Sequence, residues 1–295
     1  MNFKQRLFLL AQYLLPQHCL SRLVGFLAQT KIKWLKDFLI QQFAKRYQVN
    51  LNDAEVKNLT DFASFNDFFT RKLIADARPI DKSNNSLVIP ADGYISQLGK
   101  VNGSSIIQAK NKQFSLGDLL GNYEDAEPFI AGDFINIYLS PSNYHRVHMP
   151  VAGTLQKMIY IPGKLFSVNK LTADNVPNLF ARNERVVCIF DTEIGQMALV
   201  LVGAMIVAGI ETVWAGQIAP ITKKPIIWNY TNAQQITLNK GAEMGRFKLG
   251  STVIAIFAKD KINLNEILQA NNEVKMGQNL GVIKIDDLSS NSVIV

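Results

Sequence analysis

The segment Lys240–Val253 reads K-G-A-E-M-G-R-F-K-L-G-S-T-V and sets a Gly-Ser bond, Gly250-Ser251, ahead of the apolar residues Ile254, Ile256 and Phe257. A serine so placed can attack the peptide bond that precedes it. Its Oγ closes a five-membered ring on the Gly250 carbonyl, the acyl group passes from nitrogen to oxygen, and the amide becomes an ester. Glycine suits the position because a residue without Cβ reaches strained backbone angles and lets a group approach its carbonyl. Elimination from the ester turns Ser251 into dehydroalanine, and hydrolysis of that leaves a pyruvoyl group at a new N-terminus. Taken singly, G-S-T is a turn entering a strand, so the chemistry depends on what else the chain contains.

The sequence holds three histidines. His18 falls in a basic helical region and reads as a surface or interface residue. His145 and His148 lie between Pro141 and Pro150, beside Tyr144 and Arg146. H-x-x-H spacing suits a metal pair, but no third ligand is signalled, so no metal site is expected. Residues three apart point to opposite faces of a strand or to one face of a helix, and the spacing is compatible with both. Asp92, in P-A-D-G from Pro90 to Gly93, reads from its neighbours as a turn residue. There is no C-x-x-C, H-E-x-x-H, P-loop or G-x-G-x-x-G, which removes support for dedicated zinc, nucleotide and dinucleotide sites. Cys19 and Cys188 are too few and too far apart for a disulfide framework, and a reduced compartment is expected.

The elements around these residues divide into two kinds. Residues 1–50 carry eight Lys/Arg against one acid, Asp37, so the whole net charge of +7 belongs to this segment. Leu7, Phe8, Ala11, Leu14 and Leu15 follow a helical period up to Pro16; Leu20, Leu23, Val24 and Leu27 repeat it, and so do Ile32, Leu35, Leu39 and Phe43, with Trp34 and Phe38 widening the stripe. Basic, amphipathic and aromatic together suit helices lying in an anionic membrane surface; periodicity alone equally allows a bundle packed on the core. No run approaches the roughly 20 apolar residues of a membrane span. No small-residue cleavage site follows the apolar stretch, so no signal peptide is expected.

Beyond residue 50 short β-rich runs dominate: Ser86–Ile89, Ile106–Ala109, Phe134–Leu139, Gly153–Ile161, Val186–Phe190, Met197–Ile210 (a buried strand pair), Val253–Phe257 and Gly281–Ile285. Helices are expected over Asp61–Leu73, capped by Thr60 or Asp61, and over Leu116–Leu120. The fold class is α+β: N-terminal amphipathic helices on a larger β core. P-A-D-G-Y-I and P-V-A-G-T-L, with V-K-M-G-Q-N-L-G-V-I, suggest a lipoyl-like barrel or sandwich. The expected division is 1–60, helical and membrane-associating, and 61–295, β-rich and catalytic.

L-G-S-T with the upstream Gly241, Glu243 and Gly245 resembles the maturation site of phosphatidylserine decarboxylases, in their bacterial membrane-associated form. F-N-D-F-F-T-R-K-L (65–73), R-P-I-D (78–81), P-A-D-G (90–93), Y-L-S-P-S-N-Y-H-R-V-H-M-P (138–150), P-G-K-L-F-S-V-N (162–169), N-L-F-A-R-N-E-R (178–185) and V-G-A-M-I-V (202–207) match in order, over roughly residues 3 to 285. Two positions depart from the pattern: Asn143 stands where an acid is usual, and Ala208 where a glycine is.

The resemblance implies a Ser-His-Asp triad in which His148 takes the Ser251 proton and Asp92 fixes its tautomer. It implies cleavage after Gly250 into a β chain, 1–250, and an α chain, 251–295, that begins with a pyruvoyl group made from Ser251. That carbonyl forms a Schiff base with the amine of phosphatidylserine and draws off the electrons left as CO2 departs, giving phosphatidylethanolamine. His145 is the expected proton donor, with His148 as the second choice. Ser167, Val168 and Asn169 are expected to contact the head group. The implied partners are phosphatidylserine and an anionic membrane surface, on the cytoplasmic side of an inner membrane. A homodimer is left open and nucleic acid is not expected. Two other readings are compatible with the residues: a serine hydrolase that keeps Ser251 intact, and a non-enzymatic membrane-surface protein.

Overall fold

The computed structural model describes residues 1–109, 112–205, 209–220, 222–230, 235–248 and 250–284. Three helices open the chain: α1, Phe3–Leu14; α2, Gln17–Ala28; and α3, Lys33–Tyr47. Asn2 starts α1 with a reciprocal cap: its Oδ1 accepts the Gln5 N–H and the Gln5 Oε1 accepts the Asn2 N–H, both at 2.9 Å. Pro16, which has no N–H to continue the ladder, separates α1 from α2. Gln48 ends α3 in the left-handed region at φ 51. No helix among the described residues is long and apolar enough to cross a membrane.

The helix expected over Asp61–Leu73 shortens to α4, Phe65–Phe69, and Ser64 caps it in place of Thr60 or Asp61. It stops at Thr70 because the Arg146 guanidinium takes the Thr70 carbonyl through two nitrogens, at 3.0 and 2.8 Å. Phe62, Phe65, Phe68 and Phe69 pack with Ala28, Ile40 and Ala44 into a core of their own. The helical layer is therefore closed by residues past position 60.

The main sheet is antiparallel throughout. Its order is Ile226–Asn229, Gly153–Ile161, Arg185–Thr192, Gly195–Gly203, Ser251–Phe257, Asp133–Leu139, Gly93–Lys100 and Glu273–Val274, with Thr237–Leu238 also on the second strand. The path is open, so the lipoyl-like closure is not seen among the described residues. A four-stranded sheet of Gly216–Ala219, Gly209–Thr212, Glu243–Lys248 and Arg146–His148 lies apart from it in pairing. The Met197–Ile210 run, expected as one strand pair, thus feeds two sheets, and its residues 206–208 are outside the described ones. The last expected run is met as Asn279–Ile283; Ile285 and Ala208 are also outside.

Ser251–Phe257 is buried from end to end, with neighbours on both sides. Val253, Ala255 and Phe257 join one core with Val147, Met244 and Phe247, while Ile254 and Ile256 join another on the opposite face. Burial on both faces is why this strand reads as a continuous apolar run instead of an alternating one.

Candidate functional site

Ser251 is the first residue of that central strand, opposite Leu139 on one neighbour and Gly203 on the other. It is 0% exposed, and its Oγ has no hydrogen-bond partner among the described residues. A buried hydroxyl left so costs about 1–3 kcal/mol, a cost that functional sites tolerate. Gly250 before it adopts φ +55 with open space where a Cβ would stand, so the conformation, not crowding, requires glycine.

His148 closes the strand Arg146–His148, which settles the spacing question: a strand, with His145 immediately before it. The G-x-E-x-G stretch builds the wall it stands against. The Gly241 carbonyl lies 2.8 Å from His148 Nδ1. A carbonyl only accepts, so Nδ1 carries the proton and Nε2 keeps a lone pair. Tyr144 donates its hydroxyl to that Nε2 at 3.1 Å. Glu243 pairs with His148 in register and takes the Arg146 guanidinium at 2.7 Å. Gly245 admits the Glu211 carbonyl where a Cβ would sit 2.4 Å from it. Burial pushes the His148 imidazole below its ordinary pKa, against the Gly241 carbonyl and the Glu243 charge. Burial thus favours the neutral ring.

Asp92 is 4% exposed, and its carboxylate is occupied. Arg78 reaches both its oxygens, with Nε at 2.9 and 3.0 Å and Nη2 at 2.6 Å, and the Met276 N–H donates to Oδ1 at 2.9 Å. Arg78 Nη1 continues to Asp53 at 2.8 Å. Burial disfavours the Arg78 charge, but its hydrogen bonds with Asp92 and Asp53 carry its pKa above the ordinary value. Asp92 bears on His148 through charge, and the described residues show no hydrogen bond between them. Arg78 and Tyr144 are the residues that motif reading missed. Both sit inside quoted segments, but neither an Arg before Pro nor a Tyr before His signals such a role by type.

His145 is 0% exposed and stacks on Phe69 with ring centroids 4.0 Å apart. Its Nε2 donates to the Ser140 carbonyl at 3.0 Å, and Nδ1 has no partner among the described residues. Burial, aided by the Arg71 charge, pushes its pKa down to about 3. Asn143 accepts both the N–H and the Oγ of Ser140 through Oδ1, at 2.8 and 2.6 Å. An amide oxygen serves there where an acid was expected.

The Ser167–Asn169 segment is held by the helices. Ser167 N–H donates to Gln12 Oε1 at 2.8 Å, and Leu165 N–H to Gln17 Oε1 at 2.7 Å. Val168 is buried, and Asn169 caps the helix Lys170–Asn175 through the Thr172 N–H. Asn183 binds Phe166 on both backbone sides and donates to the carbonyl of Gly203, the neighbour of Ser251. His18 lies on α2 with Nε2 2.9 Å from the Gly163 carbonyl. Among the described residues no cluster of three or more His, Cys, Asp or Glu is placed to hold a metal.

A family model described as phosphatidylserine decarboxylase matches residues 65–282, and a second, described as PSD, matches residues 7–48. The phosphatidylserine decarboxylase proenzyme of Pseudomonas aeruginosa strain PAO1 is 55% identical over 287 residues, 96% of this chain and 99% of the relative. The proenzyme of Ectopseudomonas mendocina strain ymp is 55% identical over 281 residues, 94% and 98% of the two chains. That of Pseudomonas fluorescens strain Pf-5 is 54% identical over 282 residues, 95% and 98%.

Proposed function

The chain belongs to the phosphatidylserine decarboxylase family and is a carboxy-lyase of phospholipid synthesis; we propose that it reaches this activity by cutting itself at Gly250-Ser251. Cleavage gives a β chain, 1–250, and an α chain, 251–295, whose Ser251 becomes the pyruvoyl group that decarboxylates phosphatidylserine to phosphatidylethanolamine. The observation that carries the reading is Ser251 itself: a buried, unpartnered hydroxyl behind a left-handed glycine at the centre of the main sheet.

His148 takes the Ser251 proton on Nε2, the atom that the Gly241 bond leaves unprotonated. Tyr144 must give up its bond to Nε2 as that proton arrives. Asp92, held in place by its hydrogen bonds with Arg78, steadies the imidazolium by its charge. Once formed, the pyruvoyl carbonyl supplies the electron sink for the departing carboxylate. His145 is the donor that returns a proton to carbon, with His148 as the alternative. Ser167, Val168 and Asn169 meet the head group.

Residues 1–60 dock the enzyme on an anionic leaflet, taken as the cytoplasmic face of an inner membrane, and residues 61–295 carry the catalysis. The apolar stripe of α1 turns away from the protein, with Leu7 56% and Leu14 73% exposed, and in α2 Leu23 does so while Val24 packs on the helical core. The bundle-packing alternative would bury them. Of the eight basic residues, Lys36 is internal, bonded to Asp37 and to the Thr60 and Phe62 carbonyls, and the other seven are exposed. Each of those near the surface contributes up to about 1 kcal/mol.

Intact mass of the purified protein tests the reading. Two fragments are expected, the smaller, 251–295, refusing Edman degradation because a pyruvoyl end has no amine. Ser251→Ala should remain one uncut chain. A free Ser251 amine in fully active protein would overturn the pyruvoyl mechanism. His145→Ala should cut itself normally and decarboxylate poorly; normal turnover would remove His145 from its role.

A further inference from the structure

Two hydrogen bonds use up the His148 ring. Nδ1 donates to the Gly241 carbonyl at 2.8 Å, and Nε2 accepts the Tyr144 hydroxyl at 3.1 Å. Tyr144 is 6% exposed, and its ring centroid lies 5.7 Å from that of the imidazole with the planes tilted by 36°. Burial raises the pKa of the phenol above its ordinary value, so the group keeps its proton and meets a lone pair as a donor. The lone pair on Nε2 is the one that self-cleavage needs, and it is engaged. Ser251 Oγ, whose proton that lone pair would take, has no partner among the described residues. Base and nucleophile are both in place and not connected.

A ring nitrogen has one lone pair and takes one good donor, so Tyr144 and Ser251 compete for it. We propose that Tyr144 restrains self-cleavage by occupying His148 Nε2, and that the uncut chain must exchange the phenol for Ser251 before the peptide bond is attacked. The Ser251 proton then passes to Nε2 as Oγ joins the Gly250 carbonyl carbon. This rests on self-cleavage at Gly250-Ser251 with His148 as base and goes beyond it, because it assigns the rate of that step to a residue outside the triad. The released hydroxyl has polar surroundings to enter: Tyr144 also lines a cavity of about 290 Å3 with Arg71, Arg78, Asp92 and Asn143.

A tyrosine that serves the fold alone and one that restrains the base respond in opposite ways to loss of the hydroxyl. The full-length chain is made in a cell-free system with a pulse of label, and its conversion to fragments 1–250 and 251–295 is timed on gels. Cleavage of the unaltered chain, and none in Ser251→Ala or His148→Ala, tests the self-cleavage reading separately. Tyr144→Phe should cut roughly 3- to 10-fold faster than the parent, the scale of one ordinary hydrogen bond. Its melting temperature, measured on the uncut Ser251→Ala background, should fall, because Nε2 is left buried without a donor. Tyr123→Phe removes a phenol from a residue 70% exposed and should cut at the parental rate. In uncut Ser251→Ala protein carrying isotope-labelled histidine, Tyr144→Phe should move the resonance of the unprotonated His148 nitrogen downfield and leave Nδ1 protonated. Faster cleavage together with a lower melting temperature would establish the restraint. Cleavage of Tyr144→Phe at the parental rate or slower would overturn it, as would a protonated His148 Nε2 in the Ser251→Ala protein that retains Tyr144.

Discussion

In α1 and α2 the buried side chains include Gln12, Gln17 and Ser21, while Phe3, Leu7, Leu10, Leu14 and Phe26 are exposed. In the strand Ser251–Phe257 every residue is buried, and the apolar ones fill two cores. The helices are inverted and the sheet is not. An inverted helix gains nothing from water by its apolar face, so it must be held by specific polar contacts and must find another apolar phase for the rest. Gln12 and Gln17 are those contacts, and they grip the segment that leads to the neighbour of Ser251. The sheet needs no such grip, and among its described residues the buried side-chain atoms without a partner lie on Asn136, Ser251 and Thr252.

The largest expected break in this contrast lies on the sheet side. Arg78→Met should leave the Asp92 carboxylate buried without its partner, at a cost of about 3–5 kcal/mol. Urea unfolding of the uncut Ser251→Ala background would measure it, and mass spectrometry should show slowed self-cleavage in the parent. A loss under about 1 kcal/mol, the scale of an exposed ion pair, would mean the clamp is wet and replaceable.

Acid should act on the sheet side as well. Burial holds His145 at about 3, below its ordinary 6.5, and lowers His148 too. The unfolded chain therefore binds protons that the folded one refuses. Stability from these rings is complete above pH 6.5 and falls as pH drops below it, by about 1.4 kcal/mol per pH unit for His145, with His148 acting in the same direction. His145→Gln should remove one ring's share of the slope. An unchanged slope would place His145 in a wetter setting than its stacking on Phe69 implies.

Smaller losses are expected where helices meet core. Gln12→Ala and Gln17→Ala each strand a backbone N–H, of Ser167 and Leu165, at about 1–3 kcal/mol. Decarboxylation should fall with stability here, because the same bonds position the Ser167–Asn169 segment. If α1 and α2 detach without any change in turnover, that segment is held by Asn183 alone.

The smallest effect on stability, within about 0.5 kcal/mol, is expected from Leu7→Glu with Leu14→Glu, since both positions face away from the protein. Liposome flotation should nonetheless drop sharply. It should rise with anionic lipid and weaken in high salt without vanishing, because apolar burial is not screened. Intact flotation of the double variant would show that another surface meets the lipid.

Much of the site was legible because its residues occur in runs. Gly250-Ser251, H-x-x-H and G-x-E-x-G are local patterns, and each spans only one strand end and the residues beside it. The helix at Leu116–Leu120 and the strand at Gly153–Ile161 appear at the expected limits, since cap and alternation are local as well. Asp61–Leu73 was overestimated because its end depends on Arg146, far along the chain, taking the Thr70 carbonyl. The open path of the main sheet among the described residues has a similar cause: strand order depends on pairings between segments far apart in the chain.

The amino-acid sequence by itself determined the candidate Gly250-Ser251 pair, the histidines, the basic amphipathic helices and the continuous apolar strand, all carried by residue type and near-neighbour spacing. Tertiary structure alone decided which way the helical stripes face, that Gly241 sets the His148 tautomer, and that Arg78 rather than His148 holds the Asp92 carboxylate. These are contacts across sheets and layers, between residues 14 to 93 positions apart, and a hydrogen bond is chosen by geometry that no local pattern encodes.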